Sequence, residues 1–277
     1  MVTVPAKLGH RDVRGNSPEL AGTYPFEIGD EVITGWHFHD LHQLEYAFEG
    51  IAKVETATAR YLLPPQQAVW IPAGIEHCTT LTRVRTVSVF FDPTLGIDAG
   101  GQVRVLGAAP VIREMILHAR RWPIDRAWSD PVADGFFATL AQLVVESPDQ
   151  KMLLSLPRSQ HPLVDAAMRF TVDHQQKVTL SEVCAAVGTS ERSLRRAFVA
   201  ETGMSWRQYL LESRLLQAMA LLAQPEPNLL AVATEVGFES MSGFARAFHR
   251  YSGETPMAYR QRVLPPRPPA AQRRPGA

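Results

Sequence analysis

Two segments in the second half of this 277-residue chain follow one plan, and that repetition limits the fold more than any other feature. "LSEVCAAVGTSERSLRRAFVAETGMSWRQY" aligns with "LLAVATEVGFESMSGFARAFHRYSGETPMAY". Before a central turn the copies are offset by 49 residues: Leu180 matches Leu229, Val183 matches Val232, and Val187–Gly188 matches Val236–Gly237. After the turn the offset is 50: Ser190 matches Ser240, Leu194 matches Phe244, Phe198 matches Phe248, Gly203 matches Gly253 and Tyr209 matches Tyr259. The extra residue falls in the turn, where an insertion disturbs least.

Each unit reads as helix, glycine turn, helix. In the first, Thr179 and Glu182 have capping-box spacing. Leu180, Val183, Cys184 and Val187 form the buried stripe, and Gly188 supplies the left-handed turn. Cys184 is therefore expected in the core. The following helix, "SERSLRRAFVAE", buries Leu194 and Phe198 and turns Arg192, Arg195 and Arg196 outward. Three arginines on one face suit guanine edges or phosphates. In the second unit Phe244 and Phe248 face inward, and Met241, Ser242, Arg246, His249 and Arg250 face outward. Residues 205–223 read as one long helix between the units, with Ser205 and Gln208 in a second capping box and the prolines of "QPEPN" ending it. Upstream, Leu163, Ala166, Ala167 and Phe170 mark one apolar face of a helix in "HPLVDAAMRFTVDH".

Charge follows the same division. Residues 1–157 carry 13 Lys and Arg against 18 Asp and Glu, and residues 158–277 carry 15 against 10. A basic half suits contact with a polyanion, as well as plain scatter of charge on a solvated surface. With these elements in place, residues 161–263 resemble the DNA-binding domain of AraC/XylS-type transcriptional regulators. The resemblance implies two helix-turn-helix units joined by a rigid helix, with recognition helices near 190–201 and 240–251 entering successive major-groove segments about 34 Å apart. Carried over by position, the DNA-binding residues are Ser190, Arg192, Ser193, Arg195, Arg196, Ser240, Met241, Ser242, Arg246 and Arg250. Met241 and Gly243 are unusual occupants of the second helix.

The first half has a different texture. "GWHFHDLHQLEYAF", "IAKVETATARYLL", "QAVWIPAGI" and "RTVSVFF" are short stretches rich in β-branched and aromatic residues, separated by Gly, Pro and Asp, and they read as strands of a sandwich or small barrel. Two helices, 110–122 and 131–147, each open on proline. Prolines and polar residues near 147–162 mark a linker, and the tail "PPRPPAAQRRPGA" is expected to be disordered. Neither 18 consecutive apolar residues nor a signal-peptide pattern is present, and the two cysteines form no disulfide framework, so a cytoplasmic protein is expected.

In a strand, His37, His39, Gln43 and Glu45 share parity, while His42 points the other way. His77 follows a Pro-Ala-Gly turn in "IPAGIEHC". Two histidines two apart plus a third from elsewhere make a plausible facial set for a divalent metal. The first half resembles a cupin barrel of the kind fused to AraC-type domains, with "GWHFHDLHQLEYAFEG" and "PAGIEH" as its two motifs. By position, His37, His39 and His77 match metal-binding histidines. The carboxylate of that pattern falls at Gln43, with Glu45 two residues on. The candidate set is thus His37, His39, Gln43, Glu45 and His77. The occupant is left open between zinc, nickel or iron, an organic ligand without metal, and none.

The expected fold is α+β in two domains. Residues 1–20 are a disordered N-terminus and 21–105 a cupin-like β-barrel. Residues 106–150 are helices that could serve a dimer, 151–160 a linker, 161–263 an all-α double helix-turn-helix domain and 264–277 a tail. The expected function is transcription regulation, with double-stranded promoter DNA, a small-molecule or metal effector, a second copy of the chain and, for an activator, RNA polymerase as partners. The alternatives are a cupin dioxygenase or isomerase with an accessory helical half, and a constitutive DNA-binding protein.

Overall fold

A computed structural model describes residues 2–3, 9–97, 100–147 and 154–264. The first half is built on β1 (Val2–Thr3), β2 (Gly9–His10), β3 (Ala21–Ile33), β4 (His37–Phe38), β5 (His42–Thr56), β6 (Ala59–Leu63), β7 (Gln67–Ile71), β8 (His77–Phe91), β9 (Arg104–Gly107) and β10 (Ser155–Pro157). They form one sheet with the path β1-β3-β8-β5-β6-β10; β4 joins β2 to β8, and β7 joins β9 to β5. Among the described residues no ladder closes this sheet into a ring, so the expected closed barrel is replaced by an open, branched sheet. β5 changes partners along its length: its first part pairs β7, its last part pairs β6, and register shifts at Ala47/Glu49 and Glu49/Ile51 lie between. Bulges of this kind bend a strand and re-aim its side chains.

The sequence presents residues 35–48 as one continuous strand. The structure breaks it at residues 39–41, with β4 before and β5 after. Likewise, residues 9–20, expected within a disordered N-terminus, are fastened to the sheet. β2 pairs β4 in parallel. Arg14 bonds Asp92 at 2.5 Å. Buried Arg126 bonds buried Glu19 at 2.5 Å and donates to the Ala21 carbonyl at 2.7 Å. The linker is also correct only in part, because β10 within it pairs antiparallel with β6; its residues 151–153 and the tail from 265 lie outside the described residues.

The sheet has two different faces. β5 and β8 pair Leu44 with Val89 and Tyr46 with Val87, and these side chains share a buried cluster with α1 (Pro110–Ala119) and α2 (Pro131–Glu146). Trp70 and Tyr46 are fully buried there, so these aromatics are core beneath the helices. The opposite parity, Gln43 beside Phe90 and Glu45 beside Ser88, faces a cavity.

The second half contains α3 (Pro162–Asp173), α4 (Leu180–Val187), α5 (Glu191–Thr202), α6 (Trp206–Leu222), α7 (Leu229–Glu235), α8 (Met241–Ser252) and α9 (Pro256–Val263). The repeat survives in detail. Thr179 and Asn228 cap α4 and α7, Ser190 and Ser240 cap α5 and α8, and Ser205 and Thr255 cap α6 and α9, each through its side-chain oxygen. Phe198 meets Tyr209 edge-on at 5.3 Å, and Phe248 meets Tyr259 at 5.5 Å in the same way. The Thr179–Glu182 capping box is complete. The one at Ser205 is half made, since the Gln208 side chain bonds Glu212 instead. The buried stripe of α3 is rotated from the expected one: Val164, Ala167, Met168 and Thr171 are buried. Thr171 can be buried because its hydroxyl donates to the Ala167 carbonyl and accepts from the Trp206 indole. One contiguous buried cluster runs from the β5/β6 end of the sheet through Leu154 and Leu156 into these helices.

Candidate DNA-reading helices and a histidine-lined cavity

The first candidate site is the outer face of α5 and α8. Leu194, Phe198, Phe244 and Phe248 are fully buried, which fixes the rotation of both helices. On α5 that leaves Arg192, Arg195 and Arg196 exposed. Arg195 pairs with Glu191 one turn earlier at 2.7 Å, whereas Arg192 and Arg196 make no ion pair among the described residues. An exposed pair of this kind is worth little and exchanges readily for another anion. Ser190 and Ser193 are engaged locally: the Ser190 oxygen accepts from the Ser193 backbone and lies 3.0 Å from its hydroxyl. On α8, Ser242, Arg246, His249 and Arg250 are exposed, and Met241 is half-buried against the core. Ser240 caps the helix at Gly243, where an added Cβ would lie 3.0 Å from the Ser240 oxygen. The glycine thus accommodates the cap.

The second candidate site is the cavity on the inner face of the sheet, about 350 Å³ in volume. Its polar floor is a hydrogen-bonded row. His39 Nε2 lies 2.9 Å from Gln43 Oε1, and Gln43 Nε2 donates to Glu45 and Ser88 at 2.9 Å each. The Ser88 hydroxyl bonds Glu45 as well. Burial pushes the Glu45 carboxyl above its usual range, because the charged form is disfavoured away from water.

His37 and His77 are register partners across β4 and β8, and the turn at residues 39–41 swings His39 beside them. The ligating atoms of His37, His39 and His77 all lie within 4.8 Å of one another. Each ring is oriented by a backbone carbonyl at Nδ1: Gly35 for His37 at 2.9 Å, Leu41 for His39 at 2.6 Å and Ile75 for His77 at 2.9 Å. A proton fixed on Nδ1 leaves the Nε2 lone pair of His37 and His77 available, as metal-ligating histidines require, whereas His39 Nε2 faces the Gln43 carbonyl oxygen, a contact that an ion would have to displace. His77 Nε2 is buried and has no partner among the described residues. Burial lowers the basicity of His37 and His39 and takes His77 down to about 3, so the imidazoles are neutral at neutral pH. Glu45 lines the cavity outside this three-histidine group, and Gln43 lines it in direct contact with His39. His42 faces away, as its parity predicts, and accepts from the Ala73 backbone.

Sequence reasoning missed Ser88, Phe90 and Arg11, which all line the cavity. Ser88 and Phe90 arrive through the β5–β8 register, a pairing that no local pattern discloses.

Residues 183–262 match a family model described as "Helix-turn-helix domain". The HTH-type transcriptional regulator NimR of Escherichia coli (strain K12) is 29% identical over 245 residues, 88% of this chain and 88% of that protein. The HTH-type transcriptional activator RhaR of Pectobacterium atrosepticum is 45% identical over 75 residues, 27% of this chain and 26% of RhaR. A solved structure of ToxT from Vibrio cholerae is 12% identical, covers 88% of this chain and 98% of its own, and has a TM-score of 0.38.

Proposed function

We propose, from the match of residues 183–262 to a helix-turn-helix domain and the likeness to named transcriptional regulators, that the chain is a cytoplasmic, effector-responsive AraC-type regulator that reads promoter DNA with α5 and α8. The observation that carries the reading is the doubled unit, with matched caps, matched Phe–Tyr pairs and basic outer faces. Arg192 and Arg196 are exposed on a helix whose inner side is locked by Leu194 and Phe198. In this reading they bond base edges, with α5 reading more and the less basic α8 positioning more. Ser190 and Ser240, at the helix N-termini, suit phosphate contacts from the same turns. The relatives that match are named as transcriptional regulators, and the enzyme alternative has no comparable support.

The first half is the effector domain of this reading, an open sheet whose cavity takes a divalent ion. The donor set fits that ion: three buried, neutral imidazoles, each oriented at Nδ1, with an unpartnered Nε2 on His77. His37, His39 and His77 would hold it, and a bound ion would supply a Lewis-acidic point for an effector's oxygen donors. Gln43 and Glu45 lie beside it and shape the floor. Effector binding would then favour one arrangement of the two halves, which share a continuous buried cluster, and so shift DNA affinity.

Selection from a random duplex library tests the DNA half. The protein should enrich a defined sequence, and Arg192→Ala or Arg196→Ala should weaken binding to it by about 1–3 kcal/mol. Recovery of unenriched sequences would defeat the reading. Metal content per protomer, beside a His37→Ala/His39→Ala variant, tests the cavity half.

A further inference from the structure

We propose that Arg11 makes the cavity selective for a small organic carboxylate that also supplies an oxygen donor to an ion on His37, His39 and His77. The inference rests on the metal reading of the histidines and adds the ligand's chemical class.

Arg11 sits where such a group would be needed. Its backbone N–H donates to the Phe38 carbonyl at 2.8 Å. The strand just before it, β2, lies alongside β4, with Gly9 beside His37 and His10 beside Phe38. Arg11 therefore stands at the mouth of the cavity that His37 and His39 line. Among the described residues Arg11 has no acidic partner, although its neighbours do: His10 meets Asp40 and Arg14 meets Asp92. Asp12, at the same mouth, is occupied by the backbone N–H groups of Arg14 and Gly15. Asp125 is the other carboxylate there and is exposed. Glu45, on the floor, is held toward its neutral form by burial.

The segment carrying Arg11 is fixed, not loose. The Arg14–Asp92 and Glu19–Arg126 bonds fasten it on either side of residues 15–18. Arg11 is exposed at the cavity with its backbone tied to β4, and a planar guanidinium lacking an acidic partner recognises a carboxylate by two parallel hydrogen bonds. The cavity lining also includes apolar Val13, Leu81 and Phe90. The complementary ligand has a carboxylate for Arg11, a second oxygen for the ion and an apolar body. A cavity of about 350 Å³ limits it to a compact molecule.

Calorimetric titration of the zinc-loaded full chain tests this, with pyruvate, lactate and salicylate as probes against pyruvamide, lactamide and salicylamide. At least one acid should bind more tightly than its amide. Arg11→Gln should weaken that acid by roughly 10- to 150-fold and leave zinc affinity unchanged. Equal binding of every acid and its amide, or an acid indifferent to Arg11→Gln, would overturn the proposal. Failure of the wild-type chain to take up zinc in the loading step would instead overturn the metal reading beneath it.

Discussion

Gly188 and Gly237 occupy the same position in the two repeats, and they should respond very differently to one methyl group. Both have left-handed backbone, φ +66 and φ +83. Alanine in that region costs about 1–2 kcal/mol. At Gly188 nothing lies within 4 Å of an added Cβ, so the backbone term is the whole effect. At Gly237 the Cβ would fall 2.2 Å from the Gln176 carbonyl oxygen and 3.0 Å from the Arg214 guanidinium carbon. That oxygen has little freedom, because Arg214 bonds the carbonyls of Gln175 and Gln176 at 2.7 and 3.2 Å. The loop before α4 would have to shift, and overpacking of this kind typically adds about 1–3 kcal/mol. Gly188→Ala should therefore lose about 1–2 kcal/mol and Gly237→Ala about 2–5 kcal/mol. Urea unfolding of the full chain, followed by helical circular dichroism, measures both. Equal losses at the two positions would refute the reasoning that α7 packs its turn on the Gln176 carbonyl.

Two more outcomes follow from buried charge. Burial raises the Glu45 carboxyl, so its contribution to stability is full below the unfolded value near 4.5 and is lost as pH rises, at up to about 1.4 kcal/mol per pH unit. Glu45→Gln should gain on the wild type in thermal unfolding as pH rises above about 4.5; a difference that does not change with pH would contradict this. Arg126→Met should cost about 3–5 kcal/mol by leaving Glu19 buried and unpaired, and adding Glu19→Met should restore much of it, as a double-mutant cycle in urea would read.

The helical half was legible in the sequence because its signals are local. A cap, an apolar stripe and a turn glycine lie within a dozen residues, and the repeat gives each of them twice. Helix bounds near 190–201, 205–223 and 240–251 were met within about two residues by α5, α6 and α8. The face of α3 was misjudged because Thr171 is buried by a bond to Trp206, 35 residues away. The cavity was only half legible. Parity placed His37, His39, Gln43 and Glu45 on one side, and the break at residues 39–41 kept that side intact. The relation of Gln43 and Glu45 to Ser88, the fastening of residues 9–20 and the position of Arg11 depend on pairing between distant strands. The open sheet was hidden for the same reason, since strand-rich sequence does not state which edges meet.

The central claim is that one chain reads DNA with two recognition helices. Methylation protection on a duplex selected by the full chain measures it most directly. The account predicts two protected major-groove stretches on one face, centred about one helical turn, 10–10.5 base pairs, apart, with the stretch read by α5 lost in Arg192→Ala/Arg196→Ala. A single protected stretch that persists in that variant, or protection spread evenly along the duplex, would contradict it.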